Sequence, residues 1–196
     1  MDEIHKAAEI IKGGGVVIFP TDTVFGIGCR IGNQKAIERL YNIKKRDKGK
    51  PTLIMIENMK QGEKYAQFDK NSLILAKSFW PGPLTLVLKS KAAVPNTIKG
   101  IRNTLGLRQP NHKIVQKLIS LVGEPILAPS ANFSGQVAPS KFSEIDKNLI
   151  KLVDYVLNFE CGGDKPSTIF QSLDGTSNFI RIGAVSKNRV LNKLSI

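Results

Sequence analysis

The sequence is poor in the residues that build metal centres, disulfide frameworks and nucleophilic triads. It has two cysteines, Cys29 and Cys161, and two histidines, His5 and His112, among 196 residues. Neither cysteine belongs to a CxxC pair and no histidine cluster accompanies them, so neither a zinc site nor a disulfide framework is indicated. Neither histidine has the neighbourhood of a Ser-His-Asp or Cys-His centre. We therefore expect buried thiols in a reducing compartment and no metal site built from protein ligands.

Long hydrophobic runs and glycine-rich nucleotide-binding loops are also missing. No tract approaches the roughly 18 consecutive apolar residues that a membrane-spanning helix needs. The first residues, MDEIHKAAEII, carry acids where a secretory signal has basic residues before an apolar segment. Neither GxGxxG nor GxxxxGK[ST] occurs. We expect a cytoplasmic protein without membrane association, in which side-chain cations and hydroxyls would hold any nucleotide.

Positive charge is abundant, with 29 basic against 16 acidic residues and a net charge of +13. The stretch KKRDKGKP, residues 44–51, places five cations within seven residues. Such a stretch can be a solvated surface, a nucleic-acid contact, or a pocket for a small, highly anionic ligand. Helical periodicity places Lys44 near the middle of an apolar stripe, so it should point inward. Lys45 and Lys48 should stay solvated or contact RNA.

Helical and strand patterns alternate along the chain, which indicates an α/β fold in a single domain over residues 1–196. The last three strands follow one another closely, which favours some antiparallel pairing. Helices are predicted over about residues 4–11, 34–43, 71–79, 111–122 and 140–152, with a last one beginning near Ser186. Strands are predicted at VVIF, TLIMI, LTLVL, LGLR, PILAP, YVLNF, STIF and FIRIG.

Polar residues follow several of these strands. In open α/β sheets, small-ligand sites gather where strands end, so such groups can converge on one cleft. Each of them can instead be a helix cap or a turn residue. Arg108 and Arg181 lie inside apolar strand patterns, so they either face solvent by alternation or present planar donors to a carboxylate or phosphate. The polar residues in question are Thr21, Asp22, Thr23, Thr104, Ser130, Asn132, Ser140, Ser167 and Thr168.

Seven motifs, in order, give the chain a family resemblance: IFPTDTVFGIGC, KKRDKGKP, WPGPLTLVL, LGLRQPNH, APSANFSG, PSTIF and IRIGAVS. The set resembles the YrdC-like threonylcarbamoyl-AMP synthases over residues 13–186, in their short single-domain form. The resemblance implies a twisted, mixed parallel and antiparallel sheet flanked by helices, with a basic concave cavity. It also implies the reaction of L-threonine, bicarbonate or CO₂, and ATP to threonylcarbamoyl-AMP and pyrophosphate, for N6-threonylcarbamoyladenosine modification of tRNA.

The resemblance also assigns roles to residues. Threonine would be held by Thr23, Arg108, Ser130 and Ser167. ATP would be held by Arg46, Lys50, Thr104, Asn132, Ser140 and Arg181, and the catalytic set would be Lys44, Arg46 and Arg181. Three positions depart from the common pattern of the family. Phe25 stands where tyrosine is frequent, Met55 stands where many members have a histidine, and Lys50 stands where asparagine is often found.

The implied cofactor is Mg²⁺, which would arrive with ATP and have no dedicated protein cage, although Asp22 could touch it indirectly. Implied partners are a downstream threonylcarbamoyl-transferase complex and, weakly, tRNA. Two alternatives stay open. The chain could be an RNA-binding module without chemistry of its own, although aromatic residues total only 7%. It could also be a carbamoyl-transfer domain like those of hydrogenase-maturation proteins, although their zinc motifs are missing.

Overall fold

The computed structural model describes residues 2–46 and 52–195. Within these ranges, helices and strands alternate and the strands join in one sheet. The helices are α1 Glu3–Lys12, α2 Gln34–Ile43, α3 Met59–Tyr65, α4 Lys70–Phe79, α5 Lys113–Val122, α6 Lys147–Ile150 and α7 Lys187–Leu194. The strands are β1 Val17–Phe19, β2 Gly26–Arg30, β3 Leu53–Met55, β4 Ala66–Gln67, β5 Leu84–Ser90, β6 Thr104–Arg108, β7 Ile126–Leu127, β8 Tyr155–Val156, β9 Thr168–Leu173 and β10 Thr176–Arg181.

The sheet mixes parallel and antiparallel pairs, as the sequence predicted. Its order is β10-β9-β5-β6-β3-β7-β2-β1-β8, and β4 pairs with β5 away from this path. The pairs β3–β6, β5–β9 and β1–β8 are parallel, while the closely spaced β9 and β10 are antiparallel. No helix in the described part of the chain is long and apolar enough to cross a membrane.

One face of the central strands is packed into the larger hydrophobic core, and the other face is open and concave. Side chains alternate between the two faces because the period of a strand is two residues. The core face carries Ile54, Leu86, Leu88, Leu105, Leu107 and Phe170, which lie against residues of α2 and α4. The concave face carries Leu53, Thr85, Val87, Gly106, Arg108 and Ile169, and the strand pairing sets them side by side. A second core lies between α1, α5 and the neighbouring strands.

Helix α2 delivers the basic stretch to this concave face. Asn33 begins the helix by accepting a hydrogen bond from the backbone N–H of Ala36 at 3.1 Å. The apolar stripe of the helix is buried, and Lys44, directly after the last helical residue, is only 1% exposed. The prediction that Lys44 points inward is therefore confirmed.

Several predicted elements are shorter than expected, and helix α3 and strand β4 were missed. The helix predicted over 140–152 is a 3₁₀ turn at Phe142–Glu144 followed by α6. It breaks because the Glu144 carboxylate caps the backbone N–H groups of Ser140 and Lys141 and Asp146 then caps a new start at Asn148. The strand predicted at YVLNF pairs only over β8. Helix α3, which begins at the cap Asn58, was not predicted.

Candidate active site

Two adjoining cavities open on the concave face, and we call them together the cleft. The larger cavity has a volume of about 330 Å³ and the smaller one about 30 Å³. Leu53, Ser130 and Arg181 line both of them, so they are parts of one depression. The larger is also lined by Arg46, Thr52, Thr85, Val87, Gly106, Pro129, Ile169 and Ile180, and the smaller by Thr21, Thr23, Val24, Phe25, Gly26, Met55, Arg108, Ala128, Pro166 and Ser167.

Three arginines that are far apart in the sequence meet in the cleft. Arg46 follows α2, Arg108 ends β6 and Arg181 ends β10. Arg46 and Arg181 line the larger cavity, and Arg108 and Arg181 line the smaller one. Cations collected in a concave site raise the local potential and favour an anionic ligand. The cleft therefore suits a ligand that carries carboxylate or phosphate groups.

Arg108 is buried at the floor of the smaller cavity, with 2% of its surface exposed. Its Nε donates to the carbonyl of Gly82 at 3.2 Å, its Nη1 donates to the Thr23 hydroxyl at 2.9 Å, and its Nη2 forms an ion pair with the Asp22 carboxylate. Burial lowers the pKa of Arg108, and the Asp22 carboxylate opposes that shift. A guanidinium has five N–H donors, so two remain to hold a ligand carboxylate.

The turn after β1 holds Asp22 and Thr23 in place. The Thr21 hydroxyl donates to the carbonyl of Val24 at 2.7 Å and lies 2.9 Å from the Thr23 hydroxyl. The loop at Gly162 packs directly on this turn, because its N–H donates to the carbonyl of Thr21 at 2.8 Å. The Thr23 hydroxyl is thus placed by Thr21 and Arg108 before any ligand arrives.

Arg181 and Ser167 are joined across the rim of the cleft. The Nε and Nη2 of Arg181 donate to the carbonyl of Ser167 at 3.1 and 2.9 Å. The Ser167 hydroxyl lies 2.8 Å from the Thr85 hydroxyl on β5. Partial burial lowers the pKa of Arg181, although the residue as a whole is exposed to solvent. Its remaining donors can therefore meet a ligand from solvent.

Lys44 lies behind the cleft and lines neither cavity. Its Nζ donates to the carbonyl of Asn132 at 2.5 Å and also to the carbonyl of Ser130. Burial, together with the positive charge of Arg46, lowers the pKa of Lys44 to about 7. Of the two loop residues that it contacts, Ser130 lines both cavities. The amide of Asn132 donates instead to the carbonyls of Phe133 and Gln136 at 2.8 and 2.9 Å.

Not all the predicted ligand contacts come together in the cleft. Ser140 lines a third cavity of about 640 Å³, which shares with the cleft only Phe25 among the described residues, and its hydroxyl lies 3.1 Å from the Glu144 carboxylate. The Thr104 hydroxyl donates to the carbonyl of Ile101 at 2.9 Å, at the opposite end of β6 from Arg108. Lys50 lies outside the described residues. The ATP contacts assigned to these residues and to Asn132 stay predictions.

Two threonines of the cleft were not singled out from the sequence. Thr85 stands in LTLVL and Thr52 in TLIMI, both of which read as buried apolar strands. The Thr85 hydroxyl is hydrogen-bonded to the Ser167 hydroxyl, whereas the buried hydroxyl of Thr52 has no hydrogen-bond partner within the described ranges. A hydroxyl inside an otherwise apolar strand is the signal that could have identified both.

The cysteines and histidines line neither cavity of the cleft. Cys29 is buried, which raises the pKa of its thiol to about 12, and Cys161 is a half-buried free thiol. His5 belongs to α1 and His112 precedes α5. In residues 2–46 and 52–195, no group of three or more His, Cys, Asp or Glu side chains could hold a metal ion.

Comparison with known proteins places the chain in a family. A sequence model of the Sua5/YciO/YrdC family, described as "telomere recombination", matches residues 9–183. A relative from Methanocaldococcus jannaschii, named putative threonylcarbamoyl-AMP synthase, is 37% identical over 189 residues, which are 94% of this chain and 89% of that protein. A relative from Escherichia coli, the uncharacterized protein YciO, is 32% identical over 92% of this chain and 88% of its own length.

The fold agrees with these matches. The crystal structure of Pyrococcus abyssi Sua5 complexed with L-threonine superposes with a TM-score of 0.92 at 33% identity, and it covers 97% of this chain but only 57% of its own. This chain thus spans little more than half of that longer protein. The crystal structure of E. coli YciO superposes with a TM-score of 0.86 over 93% of this chain and 90% of its own. The chain belongs to the Sua5/YciO/YrdC family.

Proposed function

We propose that this chain is an L-threonylcarbamoyl-AMP synthase, a nucleotidyltransferase that converts L-threonine, bicarbonate or CO₂, and ATP to threonylcarbamoyl-AMP and pyrophosphate. The observation that carries the proposal is the convergence of Arg46, Arg108 and Arg181 on one cleft. The relatives named as such synthases and the L-threonine complex of Pyrococcus abyssi Sua5 support it.

The reaction needs positioning and charge stabilisation but no protein nucleophile. The amine of threonine adds to the carbon of CO₂, or of bicarbonate with loss of water, and gives up a proton to form a carbamate. A carbamate oxygen then attacks the α-phosphorus of ATP, and the bond to the β-phosphate bridge breaks to release pyrophosphate. Charge builds on the phosphoryl oxygens during this step, where fixed cations lower the barrier. Arg46 and Arg181 would supply that stabilisation.

The two cavities suit the two substrates. The carboxylate end of threonine would enter the smaller cavity, where Arg108 has two donors left for it and where the hydroxyls of Thr23, Ser130 and Ser167 are near, and the rest of the amino acid would extend into the shared depression. The triphosphate fits the larger cavity beside Arg46 and Arg181. Because Phe25 and Met55 also line the smaller cavity, the threonine side chain would meet largely apolar surface there.

Mg²⁺ would enter as the ion of ATP. Asp22 is the carboxylate nearest to Arg108, and one of its oxygens is taken by that ion pair. Its other oxygen is buried and has no hydrogen-bond partner in the part of the chain that the structure describes. No Asp or Glu of the described residues lines either cavity, so the ion would be held mainly by phosphate oxygens and water, which Mg²⁺ commonly keeps as ligands, with Asp22 at most an indirect contact.

The direct test is pyrophosphate release by the purified chain. With L-threonine, bicarbonate and ATP together, we expect release and a threonylcarbamoyl-adenylate product that mass spectrometry detects. Omitting each substrate in turn should abolish it, and dependence on threonine distinguishes the activity from a contaminating ATPase. A chain that binds tRNA but forms no adenylate under these conditions would instead support the RNA-binding alternative.

The product would be consumed by a separate threonylcarbamoyl-transferase that acts on tRNA. Any contact between this chain and tRNA would be electrostatic, because the net charge of +13 attracts phosphates. Such binding should weaken steeply as salt is raised, and filter binding of tRNA at 50 and 200 mM salt measures this.

A further inference from the structure

Lys44 holds the loop that supplies Ser130 to the cleft. The loop comprises residues 129–136, and we call it the serine loop. Two of its carbonyls, those of Ser130 and Asn132, accept hydrogen bonds from the same ammonium group. Because Lys44 is 1% exposed, these carbonyls take the place of water around the charge. The backbone from Ser130 to Asn132 therefore bends so that both carbonyls face the Lys44 Nζ.

The backbone of Lys44 adds a third attachment. Its carbonyl accepts a hydrogen bond from the N–H of Ser134 at 2.9 Å. The next residue, Lys45, places its Nζ 5.4 Å from the centroid of the Phe133 ring. Lys44 and Lys45 therefore both contact the serine loop, while Arg46 lines the larger cavity. The basic stretch thus reaches the cleft twice, directly through Arg46 and indirectly through Ser130.

We propose that Lys44 is a positioning residue, which sets the placement of Ser130 relative to Arg46 through its hydrogen bonds to the two loop carbonyls. This deepens the proposed function and rests on it. Lys44 contacts neither cavity, so it acts on the substrates only through the loop. Removing its N–H groups would leave the buried carbonyl of Asn132 without its partner and the carbonyl of Ser130 with the N–H of Asn132 alone, so the loop would have to rearrange to recover the lost bonds.

The test compares Lys44→Met with Lys35→Met, which removes an exposed lysine near the start of the same helix, α2. Methionine keeps an unbranched side chain but has no donor. In Lys44→Met we expect amide hydrogen exchange at Asn132 and Ser134 to accelerate about tenfold or more, while exchange in α5 stays unchanged. Turnover should fall by about tenfold or more as well. Lys35→Met should show the wild-type pattern in both measurements.

A rescue separates the ammonium from mere filling of space. Alkylation of Lys44→Cys with bromoethylamine in denaturant, followed by refolding, rebuilds an ammonium on a side chain of lysine length. We expect it to restore both slow exchange in the serine loop and turnover. The rescue uses a Cys29→Ala, Cys161→Ser background, in which only the introduced cysteine is alkylated, because an ammonium on the buried Cys29 would itself disturb the core. Unchanged loop exchange in Lys44→Met, or failure of the rescue in refolded protein, would overturn the proposal.

One measurement needs no variant. In wild-type protein labelled with ¹⁵N and ¹³C, the Lys44 Nζ should show hydrogen-bond scalar couplings to the carbonyl carbons of Ser130 and Asn132. Absence of both couplings at low pH and temperature would contradict the contacts directly. Exchange and couplings are read without substrate, so an inactive wild-type chain would refute the proposed function and leave the role of Lys44 in the serine loop to be decided by these data.

Discussion

Replacing Arg108 with methionine should destabilise the protein strongly, because it leaves the Asp22 carboxylate buried without its cation. The two side chains are 3% and 9% exposed, and the guanidinium makes three hydrogen bonds to protein groups. Removing one partner of a buried pair costs about 3–5 kcal/mol. A protein of this size loses about 2–4 °C of melting temperature per kcal/mol, so we expect a decrease of about 6–20 °C.

The assay is urea unfolding of Arg108→Met, Asp22→Asn and the double variant, with Lys113→Met as a control. The double variant removes both charges, so it should be more stable than Arg108→Met alone by about 1–3 kcal/mol. The control removes one exposed cation from the start of α5 and should change the free energy of unfolding by less than about 0.5 kcal/mol. Neither Arg108→Met nor the double variant should bind threonine in calorimetry, because both lack the guanidinium that would hold the carboxylate of threonine.

Two results would refute this reasoning. A loss below about 1 kcal/mol in Arg108→Met would mean that the carboxylate is not buried against the arginine as described. A double variant no more stable than the single one would mean that the cost comes from lost packing and not from an unpaired charge. Recovered stability together with recovered threonine binding would contradict the proposed carboxylate contact.

Three further predictions concern other parts of the cleft. Arg181→Met should lower ATP-dependent pyrophosphate release by about 10²–10³-fold and change the free energy of unfolding by less than about 1 kcal/mol, because Arg181 is exposed; equal losses of both would argue against a role in charge stabilisation. Gly183→Ala would place a Cβ 2.1 Å from the carbonyl oxygen of Pro166, so thermal unfolding should report a cost of about 1–3 kcal/mol. The folded-state pKa of Lys44 is lowered by burial to about 7 from its ordinary value of 10.5, so between these values the unfolded chain binds the extra proton. The free energy of unfolding should therefore rise with pH across that window, by at most about 1.4 kcal/mol per pH unit, relative to Lys44→Met, and urea titrations at several pH values measure the difference.

The sequence predicted the elements whose signals are local. Helix α2 carries a cap at Asn33 and an unbroken apolar stripe, and the same periodicity placed Lys44 on the buried side. Helix α7, predicted to begin near Ser186, begins at Lys187 with Ser186 as its cap. The region after Ser140 misled the prediction because its acidic residues cap short turns and do not support one long helix.

Partners of polar side chains were beyond the reach of the sequence. Arg108 and Arg181 occupy similar strand patterns, yet one is buried in an ion pair and the other is exposed. Periodicity reports which face a side chain occupies, but a concave face and a solvent face carry the same alternation. The pairing of Arg108 with Asp22 joins residues 86 positions apart, so no window of sequence contains it. The two carbonyls that accept hydrogen bonds from Lys44 are likewise positioned by the fold, and because every residue has a carbonyl, residue types do not identify them.

The distribution of charge in the cleft favours one orientation of the substrates. Asp22 offsets most of the charge of Arg108, so the floor of the smaller cavity presents oriented hydrogen-bond donors with little net charge. Arg46 and Arg181 both line the larger cavity. A polyphosphate carries several negative charges and gains most where two guanidinium groups line one roomy cavity, whereas one carboxylate needs mainly oriented donors. The triphosphate should therefore bind beside Arg46 and Arg181 and threonine beside Arg108. Pyrophosphate should then compete with ATP in the wild type and lose affinity about equally in Arg46→Met and Arg181→Met, while threonine affinity in both variants changes little. Asp22→Asn uncovers the charge of Arg108, so a gain of pyrophosphate affinity in that variant larger than the loss in either arginine variant would reverse this orientation.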